Sequence, residues 1–270
     1  MRHQSVLPAL LFSILVGGIH SVAQVPPPSD QVQVSPPQIR RVDPPAPGAS
    51  VQELEQRGDE LRAEKIYLDA LDYYRAALAK KPDAKIYNKV GIVELQMQRF
   101  RESQKSFERA IRIDRHFADA YNNLGAVHYE VKDYGKAIKL YLKAIELRAD
   151  AASYFSNLGA AYFSKKEFEK AVQSYHRALE LDPDVLERTS RTGVTAQLAS
   201  PGDRAHYSYV MAKLYAKMGA AERSLEYLRK AMEEGYKGIN EVYKDEEFAG
   251  LRKDPRFTAL MTARPPGIPE

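Results

Sequence analysis

The sequence predicts an all-α fold in which antiparallel helix pairs stack side by side as a solenoid. Three observations carry this reading. Gly91, Gly125 and Gly159 recur at a constant spacing of 34 residues (125 − 91 and 159 − 125). The same residue types recur around each glycine: Tyr87, Tyr121 and Phe155 four positions before it, and Val90, Leu124 and Leu158 immediately before it. Within each unit, apolar residues follow the three-to-four spacing that gathers them on one face of a helix. One such pair cannot bury its apolar face alone, so several must stack.

The elements follow in chain order. Arg2 and His3 precede an apolar run from Val6 to Ile19, and Ser21-Val22-Ala23 follows as a small-x-small cleavage pattern. This is the layout of a secretory signal peptide over residues 1–23. The run contains Pro8 and falls short of the roughly 20 residues that a bilayer-spanning helix needs. The expectation is a chain exported to the periplasm or secreted, beginning near Gln24, with no membrane span after cleavage. Residues 24–48 contain Pro26, Pro27, Pro28, Pro36, Pro37, Pro44, Pro45 and Pro47. Proline fixes φ and removes the N–H donor, so this segment is expected to be a disordered, extended linker.

Residues 51–183 hold four repeats. The first, one residue short of the period, has Leu54, Gly58, Leu61, Ala70, Tyr74, Ala77 and Pro82. Its successors carry Ser103, Ala137 and Ala171 twelve positions after their glycines, then Phe107, Tyr141 and Tyr175, then Ala110, Ala144 and Ala178. Small residues at the glycine and alanine positions let the two helices of a pair approach closely, with aromatic rings filling the space between neighbouring pairs. After Pro183 the period fails. Residues 184–203 read as an inserted polar loop. A fifth unit over 204–238 places Ala212 at the glycine position, with Tyr215, Ser224, Leu228 and Ala231 at the expected offsets. Residues 239–270 carry two helix starts, Asp245 before Glu246 and Asp254 before Pro255. They read as a cap that protects the last core layer.

These units resemble the tetratricopeptide-repeat family, with Tyr or Phe where the family usually has Trp. The resemblance implies a right-handed α-solenoid of about five repeats plus a C-terminal helical cap. It also implies a concave groove lined by the first helix of each pair at unit positions 2, 5, 6, 9, 12 and 13. Mapped onto this chain, those positions give as candidate peptide-binding residues Asn88 and Lys89, then Asn122, Asn123 and Tyr129, then Ser156, Asn157 and Phe163, then Tyr209 and Lys213. Asn123 and Asn157 lie one repeat apart at position 6. They resemble the asparagine ladder that holds a peptide backbone in the repeat domain of O-linked N-acetylglucosamine transferases. The family's two-carboxylate clamp is matched only in part: Asn88 and Lys89 fit, whereas Asp119 and Asn123 stand where the clamp would want Lys and Arg.

Composition narrows the function classes. The chain has 40 Lys and Arg against 36 Asp and Glu, interleaved along its length, and no basic run that would track a nucleic acid. There is no cysteine, which excludes disulfides, thiolate metal sites and a cysteine nucleophile. No zinc-protease, nucleophile-elbow or phosphate-loop motif occurs. His116, His128, His176 and His206 lack metal spacing, and His128 reads as a core histidine. The expectation is a non-enzymatic scaffold without metal or cofactor, binding an extended protein or peptide segment in the groove. The alternative is a structural part of a cell-envelope assembly that makes its contacts through the proline-rich tether and the inserted loop.

Overall fold

The computed structural model describes residues 42–186 and 201–263. The leader, most of the proline-rich segment, residues 187–200 of the insertion and residues 264–270 lie outside the described residues. Five helix pairs follow one another: α1 (Val51–Ala63) with α2 (Tyr67–Lys80), α3 (Ala84–Gln96) with α4 (Phe100–Ile113), α5 (Ala118–Glu130) with α6 (Tyr134–Leu147), α7 (Ala152–Ser164) with α8 (Phe168–Leu181), and α9 (Pro201–Lys217) with α10 (Ala221–Glu233). Three 3-10 turns (Ile239–Tyr243, Glu246–Phe248, Leu251–Lys253) and α11 (Pro255–Ala263) complete the described residues. No strand occurs among the described residues. Pairs pack in sequence as an α-solenoid.

The repeating glycine sets how closely each pair closes. A Cβ built on Gly58 would fall 2.6 Å from the Tyr74 ring, on Gly91 2.6 Å from Phe107, on Gly125 2.7 Å from Tyr141 and on Gly159 2.8 Å from Tyr175. The aromatic ring therefore lies in a notch within its own pair, not between neighbouring pairs as the sequence suggested. All four rings are buried. The fifth pair has Ala212 in the notch and Leu228 opposite it, a smaller residue facing a larger notch residue. Twelve positions after the notch, Ser103 donates its hydroxyl to the Gly91 carbonyl at 2.7 Å, and Ser224 donates to the Ala212 carbonyl at 2.8 Å.

Each pair turns through the same backbone conformation. Lys65, Gln98, Lys132 and Lys166 hold φ between 57° and 63°, and Gly219 holds 76°. At each turn one N–H bonds six-to-one and the preceding one five-to-two, as in Ile66 N–H to Leu61 O at 2.8 Å and Lys65 N–H to Arg62 O at 3.0 Å. This is the Schellman ending of a helix, which favours glycine at the left-handed position. Four of the five turns use a residue with a Cβ there, at a cost of roughly 1 kcal/mol each. Replacing Lys65, Gln98, Lys132 and Lys166 singly by glycine is expected to raise stability by about 0.5–1 kcal/mol each, because steric relief outweighs the added unfolded-state entropy. Urea denaturation of the four variants checks this.

First and second helices stack differently. Among the first helices, α3 touches α5 and α5 touches α7, whereas successive second helices approach one another less closely. The stack therefore curves with α1, α3, α5 and α7 on its inner face. Ser50 starts α1 with a reciprocal capping box: its hydroxyl accepts from Glu53 N–H at 3.2 Å and the Glu53 carboxylate accepts from Ser50 N–H at 2.7 Å. Asp83 caps α3 by accepting from the N–H groups of Lys85 and Ile86.

Two boundaries differ from expectation. Residues 42–48, read as linker, lie against α2. Val42 N–H donates to Asp69 at 3.2 Å, Tyr73 hydroxyl to Asp43 O at 3.2 Å, and Lys80 to Pro47 O at 3.1 Å. Proline removes donors but leaves its carbonyl free to accept, and Val42 and Ala49 add apolar contact to the first core cluster. Helix α9 begins at Pro201, inside the span read as loop, since proline suits a first helical turn.

Candidate functional site

The inner face is where repeat proteins present their binding residues, and here its floor is a chain of amides. Asn157 on α7 donates to Asn122 on α5 at 3.0 Å. Asn122 donates to its neighbour Asn123 at 3.1 Å, and Asn123 donates to Asn88 on α3 at 3.0 Å. Four amides thus form one relay across three repeats. Their exposures are 2% for Asn157, 2% for Asn122, 0% for Asn123 and 6% for Asn88. This corrects the expectation that Asn123 and Asn157 meet a peptide directly. Position 6 of one pair reaches position 5 of the preceding pair, so the amides satisfy one another beneath the surface.

The remaining candidates divide by depth. Ser156 is buried, and Tyr129 is buried with its hydroxyl 3.0 Å from Ser164 Oγ, another tie between α5 and α7. Phe163 is buried in an aromatic cluster, its ring centroid 5.2 Å from Phe168, 5.6 Å from His206 and 5.7 Å from Tyr207. Lys89 joins α3 to α1 through Glu55 at 2.6 Å and Asp59 at 2.5 Å. Asp59 also accepts from the Tyr74 hydroxyl at 2.7 Å. Asp119, the poor match to a carboxylate clamp, accepts from Tyr154 at 2.6 Å and pairs with Arg148, which itself contacts the Tyr154 hydroxyl. Open to solvent along α3, α5 and α7 on this face are Lys85, Gln96 and Glu130, with Ser153 and Ser164 half-buried.

At the fifth pair the face is covered. Gly235, at φ 81°, ends α10 and turns the chain back so that the 3-10 turns cross α9. Tyr209 donates to Asp245 at 2.8 Å, and its ring stacks on Tyr236 at 4.5 Å. Lys213 pairs with Asp245 at 3.0 Å and Glu247 at 3.4 Å. Burial opposes charge on Lys213, but the hydrogen bond and charge of Asp245 and the charge of Glu247 hold its ammonium above the ordinary lysine range. Tyr209 and Lys213 are therefore spent on the cap, which does more than shield the last core layer. Between α8, α9 and these turns a cavity of 440 Å³ remains.

Two further groups carry electrostatic consequences. Glu94 on α3 is buried, accepts from Ser106 Oγ at 2.6 Å and lies 3.6 Å from Arg75. Burial raises its carboxyl above the usual range, the Ser106 bond and Arg75 only partly opposing. A folded carboxyl that is harder to ionise loses stability as pH rises from its unfolded value through its folded one. Glu94→Gln is expected to remove that decline: more stable than the parent at pH 7, level with it near pH 4, by thermal unfolding at both. His128 is half-buried, 3.7 Å from Asp133, with burial lowering its affinity for a proton. No group of three or more His, Asp or Glu is placed to hold a metal ion among the described residues, and no described helix is long and apolar enough to cross a membrane.

Family models described as tetratricopeptide repeat match residues 84–117 and 116–184. The first match begins with α3, so its frame is that of the Gly91 unit. Solved structures similar to the chain include a crystal structure of MamA, 21% identical, covering 68% of this chain and 96% of that one with a TM-score of 0.47. A second MamA crystal structure is 20% identical, covering 73% and 95% with a TM-score of 0.48. MamA residues 41 to the end from Desulfovibrio magneticus RS-1 are 17% identical, covering 70% and 96% with a TM-score of 0.49. No curated protein matches the chain.

Proposed function

Because the chain is a tetratricopeptide-repeat protein, a family of protein-interaction scaffolds, we propose that it holds an extended segment of a partner protein along the inner face of α1, α3, α5 and α7, without catalysis. The observation that carries this is the amide relay. Asn88, Asn122, Asn123 and Asn157 fix three first helices relative to one another before any ligand arrives. A preorganised surface spares the ordering cost of binding. Above the relay, Gln96, Ser153 and Ser164 offer groups that donate and accept together, the chemistry that pairs with a peptide backbone. Glu130 adds an exposed carboxylate. Lys89, held by Glu55 and Asp59, presents a partly neutralised cation. The cap closes this face at α9, so the segment lies across the first four pairs.

The leader over residues 1–23 supports a place outside the cytoplasm, periplasmic or secreted, where the partner is met. Charge substitutions test the surface directly. Gln96→Arg with Glu130→Arg changes two exposed side chains and leaves the relay intact. Affinity capture from the native envelope with the parent chain defines the partner. The double variant is expected to retain less than about a tenth of it, a loss of roughly 1.4 kcal/mol. Equal capture by both chains would shift the contact to the tether and insertion, the arrangement of a structural envelope component.

A further inference from the structure

We infer that the cavity between α8, α9 and the 3-10 turns is an arginine-binding pocket, which takes the guanidinium of an extended partner segment. It opens where the relay stops. Position 6 of the fifth pair is Val210, not asparagine, and position 5 is Tyr209, which turns to the cap. The fourth and fifth pairs meet over a smaller surface than the pairs before them.

Four rings form one side of the cavity. Phe168 and His206 lie 4.4 Å apart edge to face, His206 and Tyr236 stack at 5.6 Å, and Tyr236 and Tyr209 stack at 4.5 Å. Glu169, Glu241, Asp245 and Glu247 line it as well, against Lys213 and Lys217, a formal balance of −2 among the described residues with His206 counted neutral. Lys213 is already shared between Asp245 and Glu247, so it offers no further attraction to an anion. The Tyr236 hydroxyl donates to Glu241 at 3.2 Å, holding that carboxylate at the hydroxyl end of the ring. The half-buried rings of Phe168 and His206 beside the exposed Glu169 are complementary to a planar cation, which packs on an aromatic ring while its N–H groups bond the carboxylate oxygens. A volume of 440 Å³ falls within the range of roughly 300–1,000 Å³ of small-molecule sites, which accommodates one arginine side chain with adjoining backbone.

The pocket rests on the proposed function only in placing this arginine on the same partner segment. Its test uses short probes that do not need the rest of the groove. Acetyl-Gly-Arg-Gly-amide, and the same peptide with uncharged citrulline, are titrated into the full chain while NMR signals of His206 and Tyr236 are followed. The arginine probe is expected to shift both signals saturably, with citrulline about tenfold weaker. Glu169→Gln with Glu241→Gln alters only exposed side chains, so the fold is kept, and arginine binding is expected to fall about fivefold or more. Equal binding of citrulline, no effect of the double variant, or no shift at His206 and Tyr236 overturns the pocket. Capture of a partner that depends on Gln96 and Glu130 would in that case still stand, which separates the two readings.

Discussion

Gly125→Ala is expected to destabilise the chain by about 2 kcal/mol, even though alanine is the better helix former by roughly 1 kcal/mol. Its Cβ would stand 2.7 Å from the Tyr141 ring, and that ring is fully buried. A rigid ring inside a close-packed pair cannot move aside cheaply, and overpacking of this kind costs about 1–3 kcal/mol before any propensity gain. The fifth pair shows the alternative, with Ala212 facing Leu228. Tyr141→Leu alone should cost about 2–3 kcal/mol through the space it leaves. The double variant Gly125→Ala with Tyr141→Leu should cost less than the sum of the two by at least about 1 kcal/mol, since one change relieves the other. Urea unfolding supplies the three values, and hydrogen exchange at α5 and α6 shows whether the loss is local, as a chain of nearest-neighbour repeats requires. Simple additivity would mean that notch and ring are not the fitted pair described here.

Asn122→Ala is expected to cost about 3 kcal/mol, more than loss of the amide at the end of the relay. Asn122 accepts from Asn157 and donates to Asn123, so its loss takes a bond from two buried amides at once. Each buried polar group left without its partner costs about 1–3 kcal/mol. Asn88 stands at the end of the relay and only accepts from Asn123. Asn88→Ala should therefore cost about half as much. Thermal unfolding of the two variants ranks them. A smaller effect at Asn122 than at Asn88 would mean that the relay does not join the repeats.

The repeat architecture was legible because two residue types a fixed distance apart carry it. A glycine and an aromatic sixteen positions later (Gly125 and Tyr141, Gly159 and Tyr175) define the notch in every one of the first four pairs, so the period reports packing directly. The candidate site was legible only by register. Asn123 and Asn157 stood out as equivalent positions, but their partners Asn122 and Asn88 belong to a different position of the unit. That link depends on how far α7 and α5 are displaced along each other, which no single-repeat pattern contains. Tyr209 and Lys213 were read as open because the register places them on the inner face. What covers them is decided by Gly235, whose left-handed turn sends Asp245 back across α9. Residues 42–48 were read as linker from their prolines, yet proline limits donors and not contact, and Asp69, Tyr73 and Lys80 of α2 supply the bonds.

The central claim, that a partner segment lies on the inner face, is tested most directly by site-specific photocrosslinking in the native cell envelope. A photoreactive side chain is placed singly at Gln96 and Glu130 on the inner face and at Lys105 and Lys139 on α4 and α6, all four exposed. Adducts from Gln96 and Glu130 to one short stretch of one partner, with none from Lys105 or Lys139, is the result this account predicts. Adducts from Lys105 and Lys139 alone would contradict it and move the working surface to the outside of the solenoid.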